Sequence, residues 1–201
     1  MKHIAAGLAM LATGAATTAS SAQTIQLEAA AGVIVPGFNT LFDRGDVAGA
    51  TRAVQLRAAA TFEARALMLL AGGLHAGVQL AIAPHVELEN SRILTLVGSA
   101  KRYSVSGTFG GMTSKIPKTP IRFRGGFSLG IRHYRFTGEP GVTFPADDAT
   151  SLFGSVSFGG DAELSQKFSI VGDFVLPFDL GTETTDATIN VVIQAGLAVR
   201  L

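Results

Sequence analysis

His133, Asp147 or Asp148, and Ser151 place a base, a carboxylate and a hydroxyl in one short stretch of chain. Acyl transfer needs such a set: a nucleophile, a base to take its proton and a carboxylate to hold the base. The spacing permits that geometry without forcing it, and a polar strand end carries the same residue types for solubility alone. His75, His85 and Glu87 form the one histidine and carboxylate group that suggests a metal. In an extended segment His75 and His85 stand near opposite ends, and a structural metal site needs a fuller ligand set. No cysteine occurs in the 201 residues, which excludes thiolate sites, thiol nucleophiles and disulfide frameworks. Gly110-Gly111 and Gly125-Gly126 lack the Gly-Lys-Ser/Thr that completes a phosphate loop. Neither cofactor nor metal is expected.

A second group of residues is defined by parity. Glu28, Arg57, Glu63, Arg65, Arg122, Arg124, Arg132, Asp161, Glu163, Asp173 and Arg200 all fall on the polar side of segments that alternate with period two. Facing inward in a closed sheet, they form either a salt-bridged plug or a charged pore, with Arg122, Arg124 and Arg132 as an anion site. Unpaired buried charge is costly, so nearly balanced opposite signs should collapse together into the plug.

The elements that must position these side chains are strands. Ile189, Val191, Ile193, Ala195, Leu197, Val199 and Leu201 alternate with Asn190, Gln194, Gly196 and Arg200, which gives one apolar face and one small or polar face. The same rhythm runs from Ile25 to Val35, through Val54–Ala66 at even positions, and from Leu74 to Ile82. It returns at Ile121, Phe123, Phe127, Leu129 and Ile131, at Leu152, Val156 and Phe158, and from Phe168 to Phe178. The fourth strand is irregular: Tyr103, Val105 and Phe109 hold one parity, while Leu94 and Leu96 hold the other. A β-bulge near Ala100 or a loop there would reconcile them. Residues 66–83 carry no charge, but Gly72-Gly73, His75 and Gln79 interrupt them and argue against a membrane-spanning helix.

Three features place the apolar face outside. The strands run to about ten residues or more, the length that crosses a bilayer when tilted. The other face is rich in Gly, Ala and Ser, as a narrow barrel interior requires. Connectors at 36–52, 84–92, 137–150 and 180–187 are expected to be longer, extracellular loops, and those at 68–73, 111–119 and 164–167 shorter, periplasmic turns. Lys115, Lys118 and Lys167 would then be periplasmic, and Asp43, Asp46, Glu139, Asp147, Asp148, Glu183 and Asp186 external. Only 15% of residues are charged, against about a quarter in water-soluble domains. A basic start at Lys2, an apolar run from Ile4 and the small residues before Gln23 form a cleavable export signal over residues 1–22. Without Lys2 the charges balance at 15 of each sign, which leaves no electrostatic case for nucleic acid.

Residues 23–201 thus resemble, in pattern along their whole length, the small outer-membrane β-barrel family: the membrane domain of outer membrane protein A and the opacity-type proteins. The fold implied is an all-β, antiparallel up-and-down transmembrane barrel of eight strands. Its best local element is the last strand, where Ile193, Ala195, Leu197, Val199 and Leu201 look like the signal read by the barrel-insertion machinery. That signal usually ends in Phe or Trp, whereas Leu201 stands here. With no Trp and two Tyr, the aromatic girdles of the family would rest on Phe38, Phe42, Tyr134, Phe136, Phe153 and Phe178. The resemblance implies an outer-membrane location, contact with membrane lipid and lipopolysaccharide, and the insertion machinery as a partner. Some small barrels modify lipid A, but no His-x-Ser-Asn element of the deacylase kind is present. A structural or surface-interaction barrel with a plugged lumen is the favoured function. The alternatives are a narrow channel for small solutes, a lipid A-modifying enzyme and a soluble periplasmic ligand-binding barrel.

Overall fold

The computed structural model of the chain describes residues 24–37, 54–90, 94–144, 146–181 and 187–201. The export signal, Phe38, Phe42, Asp43, Asp46, Glu183 and Asp186 lie outside the described residues. Those described form eight strands: β1 (Thr24–Pro36), β2 in two segments (Val54–Leu56 and Ala59–Leu69), β3 (Leu74–Asn90), β4 (Thr95–Met112), β5 (Ile121–Gly138), β6 (Asp148–Glu163), β7 (Phe168–Asp179) and β8 (Thr188–Arg200). Each pairs antiparallel with its neighbours in sequence, and β1 pairs with β8, so the sheet closes on itself. Closure leaves no unpaired edge, which is how a sheet satisfies its backbone away from water.

The apolar parity faces out. On β5, Phe123, Phe127 and Leu129 are 58%, 56% and 64% exposed, and Ile121 and Ile131 flank them on the same face. From Ile121 to Ile131 the strand advances ~33 Å at ~3.3 Å per residue. Tilted by about 40°, that covers about 25 Å along the barrel axis, the height of the apolar band of a membrane barrel. Residues 66–83 form the end of β2, a turn and the first part of β3. The turn reverses at Gly72 and Gly73, with φ of 74° and 80°, a left-handed geometry that glycine adopts without strain.

Bulges correct two parts of the sequence reading and decide a third that it left open. The break in β2 at Arg57-Ala58 reverses the parity, so Val54 and Leu56 are buried inside and Arg57 points out. Arg57 therefore leaves the set of lumen charges; it pairs instead with Glu87 at 2.7 Å and Glu89 at 3.4 Å on the outer wall. In β3 a register shift between Ala83 and Val86 lets the strand run on to Asn90. The connector expected at 84–92 shrinks to 91–94 and is no longer one of the long ones. In β4 the irregularity is a bulge at Val97, which the β3 register passes over, and not a loop. All three bulges lie in the outer half of the barrel, where bulges bend and twist a rim.

The paired glycines sit inside strands, with Gly110 opposite Gly126 and Gly111 opposite Gly125. Their role is close approach: a Cβ on Gly110 would lie 2.3 Å from the Gly125 carbonyl oxygen and 2.7 Å from His75 Nε2. Gly110→Val is expected to destabilise the barrel by about 1–3 kcal/mol through overpacking. At Gly107, on the outer face of the same strand, an added Cβ meets nothing within 4 Å, so Gly107→Val should stay within about 0.5 kcal/mol of the parent. Urea unfolding in phospholipid vesicles, followed by gel mobility of the unheated protein, reads both.

Candidate functional site

The side chains that could act are those of the inward parity, and they are layered. In the inner half, Arg124 of β5 donates from Nε to Asp173 Oδ1 of β7 at 2.7 Å and from Nη1 to Glu28 of β1. Glu28 stands on the far side of the lumen from β5, so this guanidinium spans the barrel. Arg65 Nη1 bonds Asp173 Oδ2 at 2.7 Å, and its Nε meets Glu63. Gln79 and Gln194 donate to the two oxygens of Glu63 at 2.6 and 3.0 Å. Three carboxylates and two guanidiniums are thus held in one cross-strand net. Toward the end of the barrel where the chain terminates, a second net joins Arg200 to Asp161 at 3.1 Å and Arg122 to Glu163 at 2.9 Å.

Higher up, Arg132 Nη1 bonds Asp179 Oδ2 at 2.7 Å and lies 4.2 Å over the Phe153 ring. Tyr134 and Thr188 donate to the same carboxylate oxygen, both at 3.0 Å. Arg102, 4% exposed, lines a small cavity between this group and Glu63. Taken together, Glu28, Glu63, Asp173 and Asp179 balance Arg65, Arg102, Arg124 and Arg132 across the two layers.

Above Asp179 the interior turns apolar. Ile34, Val54, Leu56, Val86, Leu88, Val97 and Phe136 are buried against one another, and Val142 and Phe144 of the connector after β5 pack on them. Phe136 stacks on Tyr134 at 5.9 Å and meets Phe144 at 5.7 Å. The lumen is closed twice, by charge pairing in its inner half and by an apolar core in its outer half.

No family model matches the sequence, and no curated protein matches it in sequence. Solved structures do match in shape. Neisserial surface protein A superposes with a TM-score of 0.61 at 13% identity, covering 92% of this chain and all of that one. The fold is that of the small outer-membrane β-barrels. The outer membrane protein OprG of Pseudomonas aeruginosa matches at a TM-score of 0.53 and 13% identity, over 90% of this chain and 96% of its own. The outer membrane protein AlkL, solved in lipid bilayers, matches at 0.50 and 10%, over 92% and 94%.

Within that fold, Glu28, Glu63, Arg65, Arg122, Arg124, Arg132, Asp161, Glu163, Asp173 and Arg200 all stand on the inward parity, and Arg57 alone of the expected set does not. Arg122, Arg124 and Arg132 are not a common site: each has its own carboxylate. Arg102 and Asp179 are members that the charge list lacked. Of the expected girdle, Phe178 faces out, but Tyr134, Phe136 and Phe153 are buried inside. Their parity opposes that of Ile131 and Leu152, so they cannot reach lipid. Leu201, Leu197 and Ile193 project outward from the end of β8. His75 is buried in the lumen and His85 exposed at the β3 bulge.

The hydrolytic set is taken apart by the sheet. His133 is on the outer face, with Nδ1 2.9 Å from Thr150 Oγ1. Ser151 is 4% exposed on the inner face, with Oγ 3.4 Å from Asp179. Asp148 is exposed at the start of β6. Base and nucleophile stand on opposite sides of the barrel wall, so no proton can pass between them.

Proposed function

We propose that the protein is an integral outer-membrane barrel with a structural or surface-interaction role, exported through residues 1–22, and that its lumen does not conduct. The observation that carries this reading is the double closure of the interior by the Glu28–Arg124–Asp173–Arg65 net and by the apolar layer around Phe136. A water path would have to break several buried charge pairs and also hydrate an apolar core, and each step is costly. The outward ladder Ile193, Ala195, Leu197, Val199 and Leu201 serves as the insertion signal in this reading. The lipid-facing wall meets membrane lipid and lipopolysaccharide.

Planar-bilayer recording tests it. The reconstituted protein is expected to give no large, stable single-channel conductance, and the appearance of one would replace this reading with the narrow channel. The separation of His133 from Ser151 argues against lipid modification. Lipid A from cells expressing the protein is therefore expected to keep its acyl pattern by mass spectrometry. An acyl change that vanishes in both Ser151→Ala and His133→Ala would restore the enzyme.

A further inference from the structure

Lys101 of β4 and Arg135 of β5 stand directly opposite one another, both exposed on the outer face. Like charges facing each other across strands destabilise a sheet. Among the described residues neither is in an ion pair, although Asp148 is the register partner of Arg135 on its other side. The pair lies at the top of the apolar band. One rung inward come Tyr103 and His133, again directly opposite, and Tyr is a residue of membrane–water interfaces. Below them the wall is concave, with a groove of about 540 Å³ across β2–β5. Phe62, Leu80, Val105 and Ile131 line it beside the small Ala64. Two cations without an ion pair among the described residues thus stand over an apolar trough.

We infer that this is a binding site for a phosphorylated acyl lipid of the outer leaflet, resting on the membrane reading above. Lys101 and Arg135 hold the phosphate and the groove holds one acyl chain. A phosphate offers up to two negative charges and several acceptor oxygens, which suits two adjacent cations, and the Arg fork matches it with two bonds. The rung between cations and groove is about 7 Å along the strand, leaving Tyr103 and His133 beside the linkage between head group and chain. Charge complementarity alone would also suit a soluble acidic polymer. The cations, however, flank the apolar band, where a lipid head group sits and a soluble chain does not.

The test is native mass spectrometry of the folded full chain released from micelles, offered bis-phosphorylated lipid A, its dephosphorylated form, or inorganic phosphate. The parent protein is expected to retain the phosphorylated lipid about tenfold better than the dephosphorylated one. Lys101→Gln with Arg135→Gln should erase that preference, and Ala64→Phe, which fills the groove, should weaken both lipids. Equal retention of the two lipids by the parent, or an unchanged preference in the Gln pair, overturns the site. So does inorganic phosphate that displaces the lipid at matched concentration, since the groove then contributes nothing. Insertion into vesicles is scored first: a parent chain that fails to insert overturns the membrane reading, whereas an inserted barrel without preference overturns this inference alone.

Discussion

Asp173→Ala is expected to destabilise the barrel by about 3–5 kcal/mol, the cost of removing one partner from a buried ion pair. Asp173 accepts from Arg124 Nε and from Arg65 Nη1, both at 2.7 Å. Its loss leaves two buried guanidiniums sharing Glu28 and Glu63. Asp173→Ala in an Arg124→Met background should cost less than in the parent, because one of the stranded charges is already gone. The coupling is expected to be about 1–3 kcal/mol, the range for residues in one network. Glu163 gives the contrast. Of its three partners, Lys115 and Arg122 have side chains 46% and 25% exposed, where solvent screens the pairing, and the more buried Arg200 keeps Asp161 when Glu163 is lost, so Glu163→Ala should cost about 1 kcal/mol or less. Urea titration in vesicles measures the parent, Asp173→Ala, Arg124→Met, their double variant and Glu163→Ala. Equal costs at 163 and 173 would mean that the inner net is hydrated, and the plug would lose its physical basis. Even with Asp173 removed, the barrel should stay non-conducting, since the apolar layer of Val86, Leu88 and Phe136 lies farther along the same lumen.

Where a strand is regular, period two carries the whole structure. β5 has no bulge, so Ile121 to Ile131 fix an outward face and Arg122, Arg124 and Arg132 an inward one from the residues alone. The same parity, extended four residues, already puts Tyr134 and Phe136 inside. A girdle at these two positions follows only from the family resemblance, and the period excludes it. Arg57 failed for the opposite reason. Nothing in the run from Val54 to Ala66 marks the slip at Ala58, because alanine and valine suit either face and the apolar count stays even. A bulge is a two-to-one pairing with another strand, so it belongs to the partner's register and not to the local sequence. Arg102 was hidden by the bulge at Val97, which left the parity of β4 unassigned at its outer end. The apolar outer lumen was illegible for a related reason: Val54, Leu56, Val86, Leu88 and Val97 all lie beyond a bulge or within one, where apolar side chains switch from lipid-facing to lumen-facing without any change of composition. The triad of His133, Asp148 and Ser151 shows the reverse limit. Their closeness in sequence is real, but 133 and 151 differ in inward parity across the β5–β6 register, where Arg132 pairs with Ser151 and His133 with Thr150.

Ala31→Arg separates a membrane barrel from a soluble one. Ala31 is exposed on the outer face of β1, near the middle of the apolar run from Ile25 to Val35, opposite Phe62 on one side and Ala195 on the other. Little packing is lost on leaving alanine, so the measured change is the cost of bringing a guanidinium to that depth. In a bilayer that cost is about 2–4 kcal/mol at the midplane and falls to about 0–1 kcal/mol near the interface. In water an exposed substitution away from special features stays within about 0.5 kcal/mol. Thr137→Arg, exposed above the band on β5, supplies the shallow reference and should be near neutral in either medium. Unfolding free energies of the two variants and the parent, measured in vesicles of one lipid, give the depth profile directly. A gap of about 2 kcal/mol or more between positions 31 and 137 requires lipid around the wall. Equal, small values at both would mean that Phe123, Phe127 and Leu129 face something other than a bilayer, and the chain would have to cover that exterior by association with another protein surface.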